Sequence, residues 1–200
     1  FHATLAQRGI ISIEALEAYT KDDSPLEINV SERLGNIVEA TCGSLGQALS
    51  VAAGVCLSAK RYEKSYRSYV ILGDGELQEG QTWEATMFAA SNKLNNLCLI
   101  IDLNELQVEG HTSKVVHMEP IDEKFRSFGW NTLKVDGHSF EDLEKGFHAA
   151  RNETSKPTVL IAKTLVGKGV SFLEGKMSHN MVLPQKVAIK ALKELGNQVD

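Results

Sequence analysis

Two hundred residues, 42% of them apolar and 24% charged, make an ordinary globular chain long enough to bury a substantial core. The net charge of −5, with no basic stripe, argues against a nucleic-acid partner, and no apolar run reaches the roughly 18–20 residues that cross a bilayer. The chain opens Phe1-His2-Ala3 with no signal-peptide pattern, and a further segment is expected upstream. Cys42, Cys56 and Cys98 are odd in number, form no Cys-x-x-Cys pair and lie in small or apolar surroundings. They predict buried, reduced thiols in a cytoplasmic protein.

In chain order, residues 22–35 have little periodicity and read as a loop. Residues 44–60 form the clearest amphipathic helix, with Leu45, Ala48, Leu49, Ala52, Ala53 and Cys56 along one stripe. Almost every residue on that stripe is small, which suits either tight core packing or a subunit interface. From residue 66 the pattern is β-α-β-α-β-α-β, predicting a three-layer α/β sandwich with a mostly parallel sheet. The predicted strands are 69–72, 97–103, 132–135 and 158–164. The first two and the last are nearly continuous apolar runs, as strands covered on both faces should be. Between the first two, residues 82–94 carry Trp83, Met87, Ala90 and Leu94 at helical spacing. Residues 105–120 predict a long loop, a length often associated with function. Phe140, Leu143, Phe147 and Ala150 mark a helix that Ser139 can cap. Residues 182–200 hold a lysine-rich helix with Val187, Ile189, Leu192 and Leu195. The whole of residues 1–200 reads as a single domain.

The chemistry gathers at strand ends. Asp74, in Gly73-Asp74-Gly75, follows the run Tyr69-Val70-Ile71-Leu72, and Asn104 follows Leu97-Cys98-Leu99-Ile100-Ile101. This places a carboxylate and a carboxamide at the C-terminal ends of two parallel strands, where open α/β sheets bind ligands. Such oxygen donors suit Mg²⁺, with Ca²⁺ as a substitute, and the flanking glycines let the main chain approach a phosphate. The pair therefore predicts a metal-bridged diphosphate. Upstream, Thr41-Cys42-Gly43-Ser44-Leu45-Gly46 precedes the small-residue helix. Ser44 can cap that helix, and the glycine-rich entry is either an ordinary helix start or an anion or ring-edge site. Glu79 and Glu84 flank Trp83, either as partners of the helix dipole or as members of a proton relay. His179 follows the last strand and is a further candidate; His111 and His117, in the long loop, are lesser ones. Lys168 lies between Gly167 and Gly169 without the glycine spacing of a P-loop, and reads as a turn.

Taken together, these residues resemble a known family. The run from Gly73-Asp74-Gly75-Glu76-Leu77-Gln78-Glu79-Gly80 through Trp83-Glu84-Ala85, then Asn95-Asn96-Leu97 and Ile101-Asp102-Leu103-Asn104, closely resembles the thiamine-diphosphate signature of transketolases. Gly43-Ser44-Leu45-Gly46-Gln47, Phe128-Gly129-Trp130, Val135-Asp136-Gly137-His138 and Gly167-Lys168-Gly169 continue the match in order. It is most similar to the N-terminal subunit of a split, two-chain transketolase. Deoxyxylulose-phosphate synthase and the decarboxylating keto-acid dehydrogenases share part of the frame, but Leu77-Gln78-Glu79-Gly80 and Trp83-Glu84-Ala85 fit transketolase better.

The resemblance implies roles for particular residues. Asp74, the Asn104 side chain and the Leu106 carbonyl would hold Mg²⁺. Gly73, Gly75 and Glu76 would belong to the cofactor site, with the Gly75 N–H at the diphosphate. Gly43 and Leu45 would lie against the rings of thiamine diphosphate, with Ser44 between them also in the cofactor site. Glu79 and Glu84 would share a proton network with a glutamate of a partner chain, and His179 would reach the reacting centre. The implied activity is transfer of a two-carbon ketol unit from a sugar phosphate, with the cofactor supplying the chemistry. The partner would be a second chain carrying the pyrimidine-binding and C-terminal domains, in an α₂β₂ assembly, and this chain alone would be inactive.

Three positions depart from the family pattern. Asn29, in Ile28-Asn29-Val30, stands where members usually carry a donor-binding histidine, and Leu103 and Glu105 are uncommon beside Asn104. Asn can hydrogen-bond but cannot act as an acid or base near neutral pH. Asn29 therefore also suits a specialised relative that delivers the two-carbon unit to a lipoyl or carrier-protein thiol. A non-catalytic cofactor-binding subunit is the alternative of another class.

Overall fold

A computed structural model describes residues 1–178 and 182–196. The chain begins with α1 (His2–Gln7), two 3-10 segments at Glu14–Ala18 and Glu32–Ile37, and α2 (Ala48–Arg61). Then come β1 (Ser68–Gly73), a 3-10 turn at Asp74–Gln78, α3 (Gly80–Ser91) and β2 (Leu97–Leu103). A short hairpin of β3 (Leu106–Gln107) and β4 (Gly110–His111) leads into α4 (Thr112–Val115) and α5 (Ile121–Ser127). The chain continues through β5 (Asn131–Asp136), α6 (Phe140–Asn152), β6 (Thr158–Lys163) and α7 (Gln185–Glu194).

The main sheet has the order β1-β2-β6-β5 with every neighbouring pair parallel. Helices cover both faces, giving the expected three layers. On one face Leu72, Leu99, Ile101 and Ile161 meet Leu49, Ala53 and Cys56 of α2, Ala85 and Ala89 of α3, and Phe125 of α5. On the other, Cys98, Ile100, Val135, Leu160 and Ala162 meet Leu143, Phe147 and Ala150 of α6. The central strands β2 and β6 are buried almost throughout, which explains their continuous apolar sequences. β1 departs from that expectation. Tyr69 and Ile71 are 47% and 72% exposed, because α6 packs chiefly over β5 and β6, with Phe147 standing edge-on to Tyr69.

Several boundaries differ from the sequence pattern for local reasons. The helix expected from residue 44 begins at Ala48, with Gln47 at its N-cap and no side-chain cap from Ser44. Gly43 and Gly46 have φ of 129° and 83°, and such angles cannot continue a right-handed helix. The small-residue stripe of α2 packs on α3 and β1, as core packing requires. α3 starts at Gly80, earlier than expected, and ends at Ser91. The long loop contains the β3–β4 hairpin and α4. Ser139 does cap α6, its hydroxyl accepting from the Asp142 N–H at 3.2 Å. Residues 167–169 form a turn, with Lys168 paired to Glu174 at 3.3 Å.

An aromatic cluster of Trp83, Phe125, Phe128 and Trp130 pins the segment after β1 to α5. The two indoles donate to main-chain oxygens, Trp83 to Leu77 at 2.7 Å and Trp130 to Thr86 at 2.9 Å. Their apolar bodies are thereby buried without an unpaired N–H. Among the described residues no helix is long and apolar enough to cross a membrane.

Cys56 and Cys98 are fully buried as expected, whereas Cys42 is exposed, because the glycine-rich entry to α2 lies on the surface. Burial pushes the Cys98 thiol up to about 11, and the Cys56 thiol also rises through burial. An alkylating reagent applied to the native protein at neutral pH should therefore label Cys42 alone; mass spectrometry finding equal label at Cys98 would contradict this packing.

Candidate functional site

The register of the sheet creates the site. Gly73 is level with Asp102 across the β1–β2 pair, so Asp74 and Asn104 leave the same sheet edge. Asp74 is 3% exposed and its carboxylate is held by this chain alone. Oδ2 accepts from the Glu105 N–H at 2.8 Å and from the Thr112 hydroxyl at 3.2 Å, and Oδ1 accepts from the Gly75 N–H at 3.0 Å. Glu105 adopts φ 65°, a left-handed conformation that costs a non-glycine residue about 1–2 kcal/mol. In that conformation its N–H meets Asp74, and its carbonyl accepts from the Thr112 N–H at 3.1 Å. Burial raises the Asp74 carboxyl above its ordinary range, and the Asp102 charge adds to the rise. The donors from Glu105, Thr112 and Gly75 oppose it.

Asn104 is fixed at both ends of its carboxamide. Its Oδ1 accepts from the Leu106 N–H at 2.9 Å, and its Nδ2 donates to Asp102 Oδ2 at 3.1 Å. Asp102 also accepts from the Thr164 hydroxyl, just beyond β6. A carbonyl or carboxylate oxygen has two lone pairs. Asp74 Oδ1 and Asn104 Oδ1 each accept one of the hydrogen bonds above, which leaves each a lone pair for a further partner. Among the described residues no group of three His, Cys, Asp or Glu side chains could hold a metal ion. The donors gathered here are a carboxylate and a carboxamide oxygen, hard ligands suited to a cation such as Mg²⁺ that takes its remaining ligands from phosphate and water. The residues present thus fit a metal-bridged diphosphate.

The entry to α2 forms the neighbouring wall. Gly43, Ser44 and Leu45 are exposed, and Cys42 N–H donates to the Val30 carbonyl at 2.9 Å, drawing residues 29–30 alongside. A Cβ on Gly43 would come within 2.6 Å of Asn29 Cγ, so the Asn29 amide lies directly on this turn. Gly46 donates its N–H to Glu76 Oε1 at 2.8 Å, tying the entry to the segment after Asp74. Burial pushes the Glu76 carboxyl up, Gly46 opposes this, and the Glu79 charge adds to it. On the other side, Gln78 donates to Gln107 at 2.5 Å, and a Cβ on Gly75 would stand 3.2 Å from Gln107 Cβ.

The structure therefore brings Gly43, Ser44, Leu45, Gly73, Asp74, Gly75, Glu76, Asn104 and Leu106 into one connected region. Glu76 spends one carboxylate oxygen on Gly46 of its own chain. Glu79 and Glu84 are both exposed, Glu79 at the N-cap of α3 and Glu84 within it. His179 lies outside the described residues. His111 and His117 line a cavity of about 170 Å³ with Asp74, Thr112 and Glu119, closer to the site than their sequence context suggested. Asn104 and Leu106 open on a separate cavity of about 180 Å³ with Val166, Lys176 and Ser178. Sequence reasoning missed Thr112 and the Glu105 N–H, contributions of loop folding that leave no residue-type signal. Asp102 had one: it is the only carboxylate in the apolar β2 sequence.

The family described as "Transketolase, thiamine diphosphate binding domain" matches residues 11–198. The chain belongs to the transketolase family through this domain. It is 36% identical to the 6-deoxy-6-sulfo-D-fructose transketolase subunit of Clostridium sp. (strain MSTE9), the alignment covering 98% of this chain and 72% of the relative. It is 34% identical to an apulose-4-phosphate transketolase subunit of Phocaeicola vulgatus, covering 100% of this chain and 71% of that one. The crystal structure of transketolase from Campylobacter jejuni superposes with a TM-score of 0.83 at 32% identity, over 92% of this chain and 30% of that one. The chain thus spans under a third of this long transketolase and about seven-tenths of the subunits.

The α2 entry can be tested by two glycine substitutions of opposite sign. Gly46→Ala combines φ 83° with a Cβ 2.7 Å from Glu79 Cβ, and should cost about 1–3 kcal/mol in urea unfolding. Gly54→Ala, inside α2 with nothing within 4 Å of the new Cβ, should stabilise by about 0.5–1 kcal/mol. Equal effects would contradict the geometry.

Proposed function

We propose that this chain supplies the metal- and diphosphate-binding half of a two-chain transketolase-type enzyme. That enzyme transfers a two-carbon ketol unit from a ketose phosphate, and residues 1–200 act as one thiamine-diphosphate-binding unit within it. The observation that carries the reading is the buried Asp74 carboxylate, hydrogen-bonded to the residue following Asn104 at a shared sheet edge. Asp74, the Asn104 oxygen and the Leu106 carbonyl would hold Mg²⁺, and Gly73 and Gly75 leave the main chain bare where a diphosphate would lie. The Gly75 N–H is turned onto Asp74 in the structure described here. When bound, thiamine diphosphate supplies the nucleophilic carbon that accepts and releases the two-carbon unit. Gly43, Ser44 and Leu45 offer its rings an open surface, and Glu76 keeps that surface in place through Gly46.

Glu79 and Glu84 serve the reaction by holding protons at a contact with the partner chain. Support comes from the entry to α2 and the outer sides of α2 and α3, where Leu45, Val51, Val55, Met87 and Phe88 are 41–57% exposed, apolar surface of the kind that partners cover. The relatives named as subunits support the same arrangement. The partner would carry the pyrimidine-binding and C-terminal domains in an α₂β₂ assembly working in the cytoplasm, and this chain alone is inactive.

Asn29 favours a second reading, in which the acceptor is a lipoyl or carrier-protein thiol. Its amide lies on Gly43 at the open side of the site, where it can donate and accept hydrogen bonds but cannot exchange a proton near neutral pH. A labelled ketose phosphate incubated with both chains and either an aldose phosphate or a lipoylated carrier separates the two: label on sugar alone supports the first reading and eliminates the second. In the same assay Asp74→Ala should abolish transfer together with magnesium-dependent cofactor binding. An active Asp74→Ala complex would leave this chain a non-catalytic subunit.

A further inference from the structure

We propose that Asp102 is a positioning residue that fixes the carboxamide of Asn104 with its oxygen, rather than its nitrogen, available to the metal-binding turn. The inference rests on reading Asp74, Asn104 and Leu106 as the metal-holding set, and it concerns a side chain outside that set.

A carboxamide presents two ends of nearly equal size and opposite polarity, so a site that uses its oxygen must discriminate against the flipped rotamer. One hydrogen bond, from the Leu106 N–H to Asn104 Oδ1 at 2.9 Å, fixes the oxygen but leaves the amide plane free to turn about that contact. The second, from Asn104 Nδ2 to Asp102 Oδ2 at 3.1 Å, fixes the plane. A flip would then set the amide oxygen against a carboxylate and the NH₂ against the Leu106 N–H, so both contacts become unfavourable.

Asp102 is itself anchored from the residue that follows β6. Its other oxygen accepts from the Thr164 hydroxyl. The Thr164 N–H donates to the Leu103 carbonyl at 3.1 Å, and Leu103 is level with Lys163 across the β2–β6 pair. Thus β6 holds Asp102, Asp102 holds Asn104, and Asn104 holds the start of the β3–β4 hairpin. The sequence cue is consistent: a lone carboxylate closes an apolar strand, where an apolar residue would leave the amide held by one contact.

The test measures Mn²⁺ binding by the full chain in the presence of thiamine diphosphate, from the loss of the free-ion paramagnetic resonance signal. Each variant's melting temperature without metal is recorded as well. Asp102→Ala should weaken Mn²⁺ binding at least tenfold while melting close to wild type. Asp102→Asn should stay within about threefold, because its oxygen can still face Asn104 Nδ2 while its NH₂ donates to the Thr164 hydroxyl, which turns to accept. Should Asp102→Ala fail to fold, the paired Asp102→Leu/Thr164→Val variant carries the same expectation, since replacing both partners with apolar groups of similar shape leaves no hydroxyl stranded. Wild-type affinity in Asp102→Ala or the paired variant would overturn the inference. So would equal weakening in Asp102→Asn and Asp102→Ala, which would assign the effect to charge alone. Failure of the wild-type chain to bind Mn²⁺, or wild-type binding by Asp74→Ala, would instead overturn the metal-site reading beneath it.

Discussion

A carboxylate buried at a strand end, and satisfied by the main chain of a neighbouring loop, is the constraint on which the rest of this site depends. Asp74 is almost removed from solvent, and a charge so placed is tolerated only when its oxygens are well partnered. Two of its three partners come from the loop after β2, where Glu105 takes up a left-handed turn to present its N–H. That turn fixes where Asn104 and Leu106 lie. The conformational cost at Glu105 is thus offset by a charge-assisted hydrogen bond, of a kind worth about 1.5–3 kcal/mol.

The parallel sheet makes this meeting repeatable. Equal register between β1 and β2 delivers both segments to one edge, while β6 adds Thr164 and the Lys163–Glu105 pair at 2.6 Å. Around this centre the chain builds three connected supports. The aromatic cluster under α5 braces the segment after Asp74, the Gly46–Glu76 hydrogen bond locates the entry to α2, and the β3–β4 hairpin carries Leu106. Beyond them the surface remains open at Leu45, Glu79 and Glu84. The chain spans 30% of the length of the Campylobacter jejuni transketolase on which it superposes.

Much of this was legible in the residues. The apolar runs before Gly73 and Asn104 predict parallel strands, and with them a carboxylate and a carboxamide at neighbouring strand ends, as the register of β1 and β2 bears out. Ser139 was recognisable as a cap because its position and Asp142 follow a local rule. What was not legible depends on tertiary context. The true start of α2 is decided by the backbone angles at Gly43 and Gly46, which composition does not specify. The exposed side of β1 follows from where α6 packs, although its residues are as apolar as those of β2. Thr112 and the Glu105 N–H reach Asp74 only because a loop that looked irregular folds into a hairpin and a helical turn.

The most direct test of the central claim is a crystal structure of this chain grown with Mn²⁺ and thiamine diphosphate, with the ion located by its anomalous scattering. The account predicts one strong peak about 2 Å from a carboxylate oxygen of Asp74, the Asn104 carboxamide oxygen and the Leu106 carbonyl, with diphosphate oxygens completing the shell. A peak bound elsewhere, or a diphosphate seated away from Gly73–Gly75, would contradict it.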